Sequence, residues 1–255
     1  GSQSVGMLAD VVTQFPEVNA VFSEASSVLG YDLLQLALQG PEEKLNQTVH
    51  TQPALLAASF AIWRVISARA EIKPAVFAGH SLGEYTALVC AGALTFADAI
   101  RLVAARGEFM QDAVAQGVGA MAAIIGLENN VVAEVCAEAR GNTNEVLSPA
   151  NYNSIGQVVI AGHHAAVERA IVLAKTKGAK MAVAIPVSVP SHCELMRPAA
   201  ERLAVMLASI DIQKPSIPVI NNADVSVYQT SEEIRAGLVK QLYMPVRWVE
   251  IIQTM

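Results

Sequence analysis

The sequence predicts an α/β protein with parallel strands and a smaller subdomain inserted into the larger one. Three observations lead there. Short apolar, β-rich runs alternate with alanine-rich helical stretches. Hydrophobic residues make up 53% of the 255 residues and charged ones only 16%, which suits a sizeable core and is the reverse of a disordered composition. Between residues 117 and 188 the pattern becomes strand–helix–strand–helix–strand, as a small split βαβ unit requires.

The elements follow in order. Val49–Ala70 reads as loop then helix, with Thr51 as a possible N-cap, Pro53 in the first turn and Pro74 as the stop. Ala75–Ala78 is a short strand, apolar enough to be buried on both faces. Gly79–Gly83 is a tight turn, and Glu84–Ala91 a helix ended by Gly92. Asp98–Val114 is a helix with Ile100, Val103, Ala104, Gly107, Met110 and Val114 on one face and Arg106 at its edge. Gly117–Gly119 reads as a hinge. The insert then runs as strand Ala120–Gly126, helix Asn130–Arg140, strand Gln157–Ala161, helix His164–Lys177 and strand Lys180–Val187. The chain returns through Pro190 and the helix Pro198–Ile210. Ile217–Asn221 is a buried strand, Asp224–Thr230 a polar surface turn, and a last helix starts at Ser231, whose Glu232 and Glu233 suit an N-terminus. The large subdomain is thus 1–116 with 189–255, and the small one 117–188.

Composition excludes several function classes. Seventeen Lys+Arg against 23 Asp+Glu give a net charge of −6, so no broad nucleic-acid or anionic-membrane surface is expected. The longest nearly apolar stretches, Pro53–Trp63 and Thr86–Phe96, fall short of the roughly 18 residues that a bilayer span needs. Gly1–Asp10 has no basic region followed by an apolar one, so no signal peptide is expected. Cys90, Cys136 and Cys193 are too few for a disulfide framework, lie far apart and form no CxxC, which predicts a reducing, cytoplasmic setting; the adjacent His163 and His164 are poor metal-ligand spacing on a helix, and no metal site is expected.

The chemistry concentrates at Gly79-His80-Ser81-Leu82-Gly83. A strand, then G-x-S-x-G, then a helix is the context in which a serine is lifted onto a sharp turn as a nucleophile, with small flanking residues to avoid collision. The Leu82 N–H then points where an oxyanion forms, a donor worth roughly 3–4 kcal/mol in a transition state. Taken alone, the same five residues also suit a turn that merely packs. A serine needs a base. Of the five histidines, His80 points away from its neighbour's hydroxyl and packs, His163 and His164 open a helix in solvent, and His50 has no supporting context. His192, in Val189-Pro190-Ser191-His192-Cys193, lies where the chain re-enters the large subdomain. Elimination alone leaves it an open candidate.

Gly79–Tyr85 (GHSLGEY) resembles the nucleophile segment of malonyl-CoA–acyl carrier protein transacylases and of the related acyltransferase domains of fatty-acid and polyketide synthases. Thr51–Ala54 (TQPA), Arg101–Met110, Gly119–Gly126, Asn151–Gly162, Val187–Leu195 (VSVPSHCEL) and Gln241-Leu242-Tyr243 are similar to further family segments in the same order. The resemblance implies an α/β-hydrolase-like large domain with a parallel sheet and a ferredoxin-like insert. It implies a ping-pong transfer of malonyl from malonyl-CoA to the phosphopantetheine thiol of acyl carrier protein, with Ser81 as nucleophile, His192 as base and the Gln241 backbone carbonyl orienting the imidazole. No acidic residue between Ser81 and His192 sits in a strand-end loop, where an esterase on the same elbow needs one. The resemblance makes Arg106 the substrate-carboxylate ligand, a role suited to its planar bidentate guanidinium and closed to lysine. Gln52 and Asn153 match family positions near the same site.

No cofactor is implied beyond the substrate and the carrier's own phosphopantetheine. A cytoplasmic monomer serving fatty-acid synthesis is expected, with no nucleic-acid or membrane partner. An acidic carrier docks on a local basic patch rather than on net charge, for which Arg169, Lys175, Lys177 and Lys180 are the candidates. The family pattern has a strand and a Pro-Gly-Gln-Gly-Ser-Gln turn running into the position of Gly1-Ser2-Gln3, and a Gly-Pro-Gly segment after Met255. Either the sequence is a fragment or further residues stand at both ends, and only a chain truly lacking that strand is expected to lose sheet pairing and activity.

Overall fold

A computed structural model of the chain describes residues 2–141, 144–187 and 189–255. Gly1 of the N-terminal segment and Ser188, at the insert's boundary and within the histidine segment, lie outside the described residues. The strands are β1 Phe77–Ala78, β2 Gly119–Ile125, β3 Leu147–Ser154, β4 Gln157–His163, β5 Met181–Ala184 and β6 Val219–Ile220. They form one parallel and one antiparallel sheet, a mixed α/β architecture. The chain divides into two compact units. One comprises Gly1–Glu108, Met206–Ile220 and Val227–Ile234; the other comprises Phe109–Val205, Asn221–Ser226 and Arg235–Met255.

In the first unit, β1 pairs in parallel with β6, Phe77 opposite Val219 and Ala78 opposite Ile220. β6 is buried as expected, but β1 is only half-buried, against the expectation of burial on both faces. Among the described residues β6 is the one strand paired with it, and the Trp63 and Phe77 rings pack T-shaped with centroids 5.2 Å apart. Ahead of β1 lie helices that the sequence reading did not assign: Ala9–Gln14, Pro16–Leu29, Leu33–Gln39 and Glu42–Leu45. In the second of these, Val18, Val21, Phe22 and Ala25 fall at helical spacing and face inward against the long helix Thr48–Arg69.

That long helix corrects two expectations. It begins at Thr48, so Pro53 stands inside it rather than in its first turn, and Thr51 is not its N-cap. The Thr51 hydroxyl donates to the carbonyls of Leu45 (2.6 Å) and Gln47 (3.1 Å), whereas a cap must accept from a backbone N–H. An interior proline costs about 3 kcal/mol. Burial of Gln52, Pro53, Ala54, Leu56, Ala57, Ala58 and Ala61 carries the helix through it.

The second unit is built on an antiparallel sheet in the order β3-β4-β2-β5. Helices Asn129–Arg140 and His164–Thr176 cover one face, where Ala122, Ile124, Val158, Ile160 and Ala182 meet Val132, Val135, Ala166, Val167 and Ala170. The alternate residues Met121, Val159 and Ala161 point to the other face and pack with Ala150 and Cys193. The segment LSPANYNS carries a proline and turn-forming residues and does not read as a strand, yet it forms β3. It is an edge strand, where proline is tolerated, and its register shifts between Pro149 and Asn151 and again between Tyr152 and Ser154.

Two further expectations change. Asp224–Thr230 is not wholly a surface turn, since Tyr228 is buried with its N–H bonded to the Val219 carbonyl at 3.1 Å. A final helix, Trp248–Thr254, follows the one at Ser231–Gln241. Among the described residues, no helix is long and apolar enough to cross a membrane.

Candidate active site

Ser81 stands between β1 and the helix Leu82–Cys90 with φ 52° and ψ −106°, a left-handed φ that a residue with a side chain adopts only under constraint. The constraint is steric. A Cβ on Gly79 would lie 2.0 Å from the carbonyl carbon and oxygen of Gly83 and 2.6 Å from the Glu84 nitrogen, so the strand end and the helix start touch through bare backbone. Gly83 corrects the symmetric reading of the two glycines: a Cβ there meets nothing within 4 Å. Gly83 matters as the backbone that Gly79 must clear.

The turn also sets the donors. The Gly83 N–H bonds to His80 O (2.9 Å) and the Glu84 N–H to Ser81 O (3.1 Å). Between them the N–H of Leu82, the first helical residue, has no intrahelical acceptor, and no partner for it is found among the described residues. It remains available to an anion at the serine.

Arg106, which the sequence places at the edge of its helix's apolar face, is buried, with 2% of its surface exposed. The reason is the next residue. A Cβ on Gly107 would lie 2.7 Å from Val49 Cα and 2.8 Å from Thr48 O, so the arginine's helix, Phe96–Asp112, presses directly on the start of Thr48–Arg69. That contact delivers Arg106 to Gln52. Arg106 Nη1 donates to Gln52 Oε1 at 2.6 Å, while Gln52 Nε2 donates to Thr48 Oγ1 at 2.9 Å, which fixes the amide. Arg106 Nη2 donates to Ser81 Oγ at 3.2 Å, and the guanidinium lies 5.6 Å from the centre of the Tyr85 ring. Burial holds the guanidinium below its ordinary proton affinity, an effect offset by Tyr85 and Glu84 nearby. Burial also pushes the Tyr85 hydroxyl up to about 12, so it stays protonated. Sequence reasoning passed over Glu84 and Tyr228. Glu84 is fully buried in the turn after Ser81, and its carboxylate accepts a hydrogen bond from the Tyr228 hydroxyl.

In the second unit His192 is 3% exposed with φ 62°, and its backbone N–H donates to Leu242 O at 3.1 Å. Its Nδ1 lies 2.7 Å from the Gln241 carbonyl oxygen. A carbonyl only accepts, so Nδ1 carries the hydrogen, and the neutral ring presents a lone pair at Nε2. Gln241 ends the helix Ser231–Gln241, where the last carbonyls have no intrahelical partner. It is buried, 1% exposed, rather than a surface glutamine.

The remaining candidates are placed as follows. Asn153 is half-buried on β3, within one of its register shifts. His163 is not solvated: its Nδ1 accepts from the Val146 N–H at 2.7 Å. His164 is half-exposed, 3.7 Å from the Glu168 carboxylate. His50 lies edge-on to Tyr31, with Nδ1 3.1 Å from the hydroxyl. Arg169 is engaged by Glu145 and by the Ala139 carbonyl at 2.8 Å, and Lys177 by Glu138 at 3.0 Å. Lys175 is exposed in the last turn of its helix, and the Lys180 stem lies against Gly126. Among the described residues no cluster of three His, Cys, Asp or Glu side chains could hold a metal ion. The structure therefore brings Ser81, Leu82, Gln52 and Arg106 together in the first unit, and His192 and Gln241 in the second.

Comparison with known proteins gives a consistent picture. The family described as acyl transferase domain matches residues 1–255. The malonyl CoA-acyl carrier protein transacylase of Escherichia coli K12 is 56% identical over 255 residues, covering 100% of this chain and 82% of that protein. That of Haemophilus influenzae is 58% identical over 256 residues, covering 100% and 81%. Among solved structures, the malonyl CoA-acyl carrier protein transacylase of Coxiella burnetii superposes with a TM-score of 0.98 at 54% identity, covering 100% of this chain and 80% of that one. A malonyl-transacylase solved in complex with a type II polyketide synthase acyl-carrier protein gives 0.97 at 56% identity, covering 100% and 82%.

Proposed function

The chain belongs to the acyl transferase domain family, and from that premise we propose that it transfers malonyl from malonyl-CoA to the phosphopantetheine thiol of acyl carrier protein, supplying malonyl-carrier for fatty-acid synthesis. The observation that carries the proposal is the serine corner: a strained Ser81 at a helix start, with a spare N–H beside it and a buried arginine on its hydroxyl.

Ser81 Oγ attacks the thioester carbonyl and gives its proton to His192 Nε2. The developing oxyanion is held by the Leu82 N–H. The C–S bond breaks, and coenzyme A leaves as its thiol with the proton from His192. In the second half the carrier thiol loses its proton to His192 and attacks the malonyl ester. The ester C–O bond breaks and the proton returns to Ser81. His192 works as a neutral base because the Gln241 carbonyl holds its hydrogen on Nδ1. Arg106, steadied by Gln52, binds the malonyl carboxylate, exchanging its hold on the serine hydroxyl for a charged partner. Asn153 is assigned to substrate binding on its match to a family position.

We read 1–116 with 189–255 as α/β-hydrolase-like and 117–188 as a ferredoxin-like insert, a reading supported by the strand order β3-β4-β2-β5 and by the βαββαβ succession of the insert. A relative solved with its carrier protein supports the carrier as partner. Lys175, with Arg169, Lys177 and Lys180 on the same insert, is offered to the acidic carrier. The protein acts as a cytoplasmic monomer without a cofactor.

The test is intact mass after mixing with malonyl-CoA. One malonyl adduct is expected on the parent chain, discharged by holo carrier protein faster than by water, and none on Ser81→Ala. An adduct that survives Ser81→Ala, or discharge to water alone, overturns the proposal.

A further inference from the structure

The mechanism above leaves a buried carboxylate unused. Glu84 is fully buried one helical turn after Ser81 and is fixed in place by the Tyr228 hydroxyl. In the same turn, Ser81, three residues before it, and Tyr85, the next residue, both meet the buried guanidinium: Ser81 Oγ at 3.2 Å from Arg106 Nη2 and the Tyr85 ring centre at 5.6 Å from the guanidinium. We propose that Glu84 is a positioning residue that acts through Arg106: it is the resident counter-charge that keeps the guanidinium tolerable before substrate arrives, and it weakens the hold on the incoming carboxylate. This rests on the assignment of Arg106 to the malonyl carboxylate.

The argument is electrostatic. A buried cation without a counter-charge is costly. Among the causes that sustain the charge on Arg106 against its burial is the field of Glu84. Gln52 supplies a neutral acceptor, which orients the guanidinium but does not neutralise it. When malonyl binds, its carboxylate meets Arg106 while Glu84 repels it through a medium that screens poorly. An acetyl group carries no charge and does not sense Glu84. Glu84 therefore trades malonyl affinity for a stable empty site and an acyl group that is not held too firmly to leave.

Glu84→Gln keeps the shape and an acceptor for Tyr228 but removes the charge. In a Ser81→Ala background, where no ester forms, calorimetric titration reads binding directly. The added Glu84→Gln substitution is expected to tighten malonyl-CoA about tenfold, equivalent to about 1.4 kcal/mol, and to change acetyl-CoA binding less than twofold. Weaker malonyl-CoA binding, or equal changes for both thioesters, overturns the proposal. If Ser81→Ala with Glu84 intact binds the two thioesters equally, the fault lies in the assignment of Arg106 instead. Should the glutamine variant not fold, thermal unfolding of Arg106→Gln with and without Glu84→Gln decides. The double variant is expected to unfold at the higher temperature, because it removes a buried carboxylate that has lost its cation. A lower temperature overturns the proposal.

Discussion

Gly79→Ala isolates the steric basis of the serine corner. The added methyl carbon falls 2.0 Å from both the carbon and the oxygen of the Gly83 carbonyl, about 1.4 Å inside the 3.4 Å at which ordinary contact begins. The obstacle is backbone, so no rotamer relieves it, and the strand end or the first turn of the helix must shift by about that distance. Overpacking of this kind costs roughly 1–3 kcal/mol. A displacement of about 1 Å at a reacting group costs on the order of a hundredfold in rate. Two assays separate the effects: the thermal midpoint, expected to fall by several degrees, and rapid-quench intact mass, expected to show formation of the Ser81 ester slowed about a hundredfold. Gly83→Ala is the internal control. Its methyl meets nothing within 4 Å and joins a helix, where alanine is favoured over glycine by up to about 1 kcal/mol, so its midpoint should hold or rise. The reasoning is refuted if Gly79→Ala melts and acylates like the parent chain, or if Gly83→Ala loses as much stability.

Arg106→Ala should reduce malonyl transfer about tenfold to a hundredfold more than acetyl transfer, as expected for the loss of a charged hydrogen-bonding partner worth about 1.5–3 kcal/mol; equal losses in paired kcat/KM measurements remove Arg106 from the role. His50 is held below its ordinary pKa of 6.5, first by burial and then by Lys44. Its unfolded form therefore takes up the proton first, so it imposes no penalty above that pH and destabilises the fold as the pH falls below it. Replacing it by glutamine should make the drop in thermal midpoint between pH 7 and pH 5 shallower, and an unchanged slope refutes this. Reversing charge at Lys175 and Lys177 together should raise KM for carrier protein and leave acylation by malonyl-CoA intact. Parallel loss in both half-reactions moves carrier docking elsewhere.

The legible parts of the site were those where one side chain has one reason to be there. Gly79 is glycine because backbone meets backbone, and that demand is written at a single position, readable without any partner. Arg106 shows the limit. Helical spacing gave the direction in which it points but not what lies there, and the burial came from Gly107 letting a second helix approach to backbone contact. β3 stayed hidden for a related reason: an edge strand with shifted register tolerates the proline and asparagines that elsewhere signal a turn. The Glu84–Tyr228 pair spans 144 residues of sequence, with no local pattern linking a glutamate after a turn to a tyrosine in a polar loop. Gln241 is the extreme case. What meets His192 is its main-chain carbonyl, which every residue possesses, so neither composition nor spacing could announce it. Its position at the end of a helix supplies the physical signal instead, because the last carbonyls of any helix are left over and one of them beside a buried histidine is bound to find its N–H. A search for orienting groups in sequence should therefore weigh helix ends as well as acidic side chains.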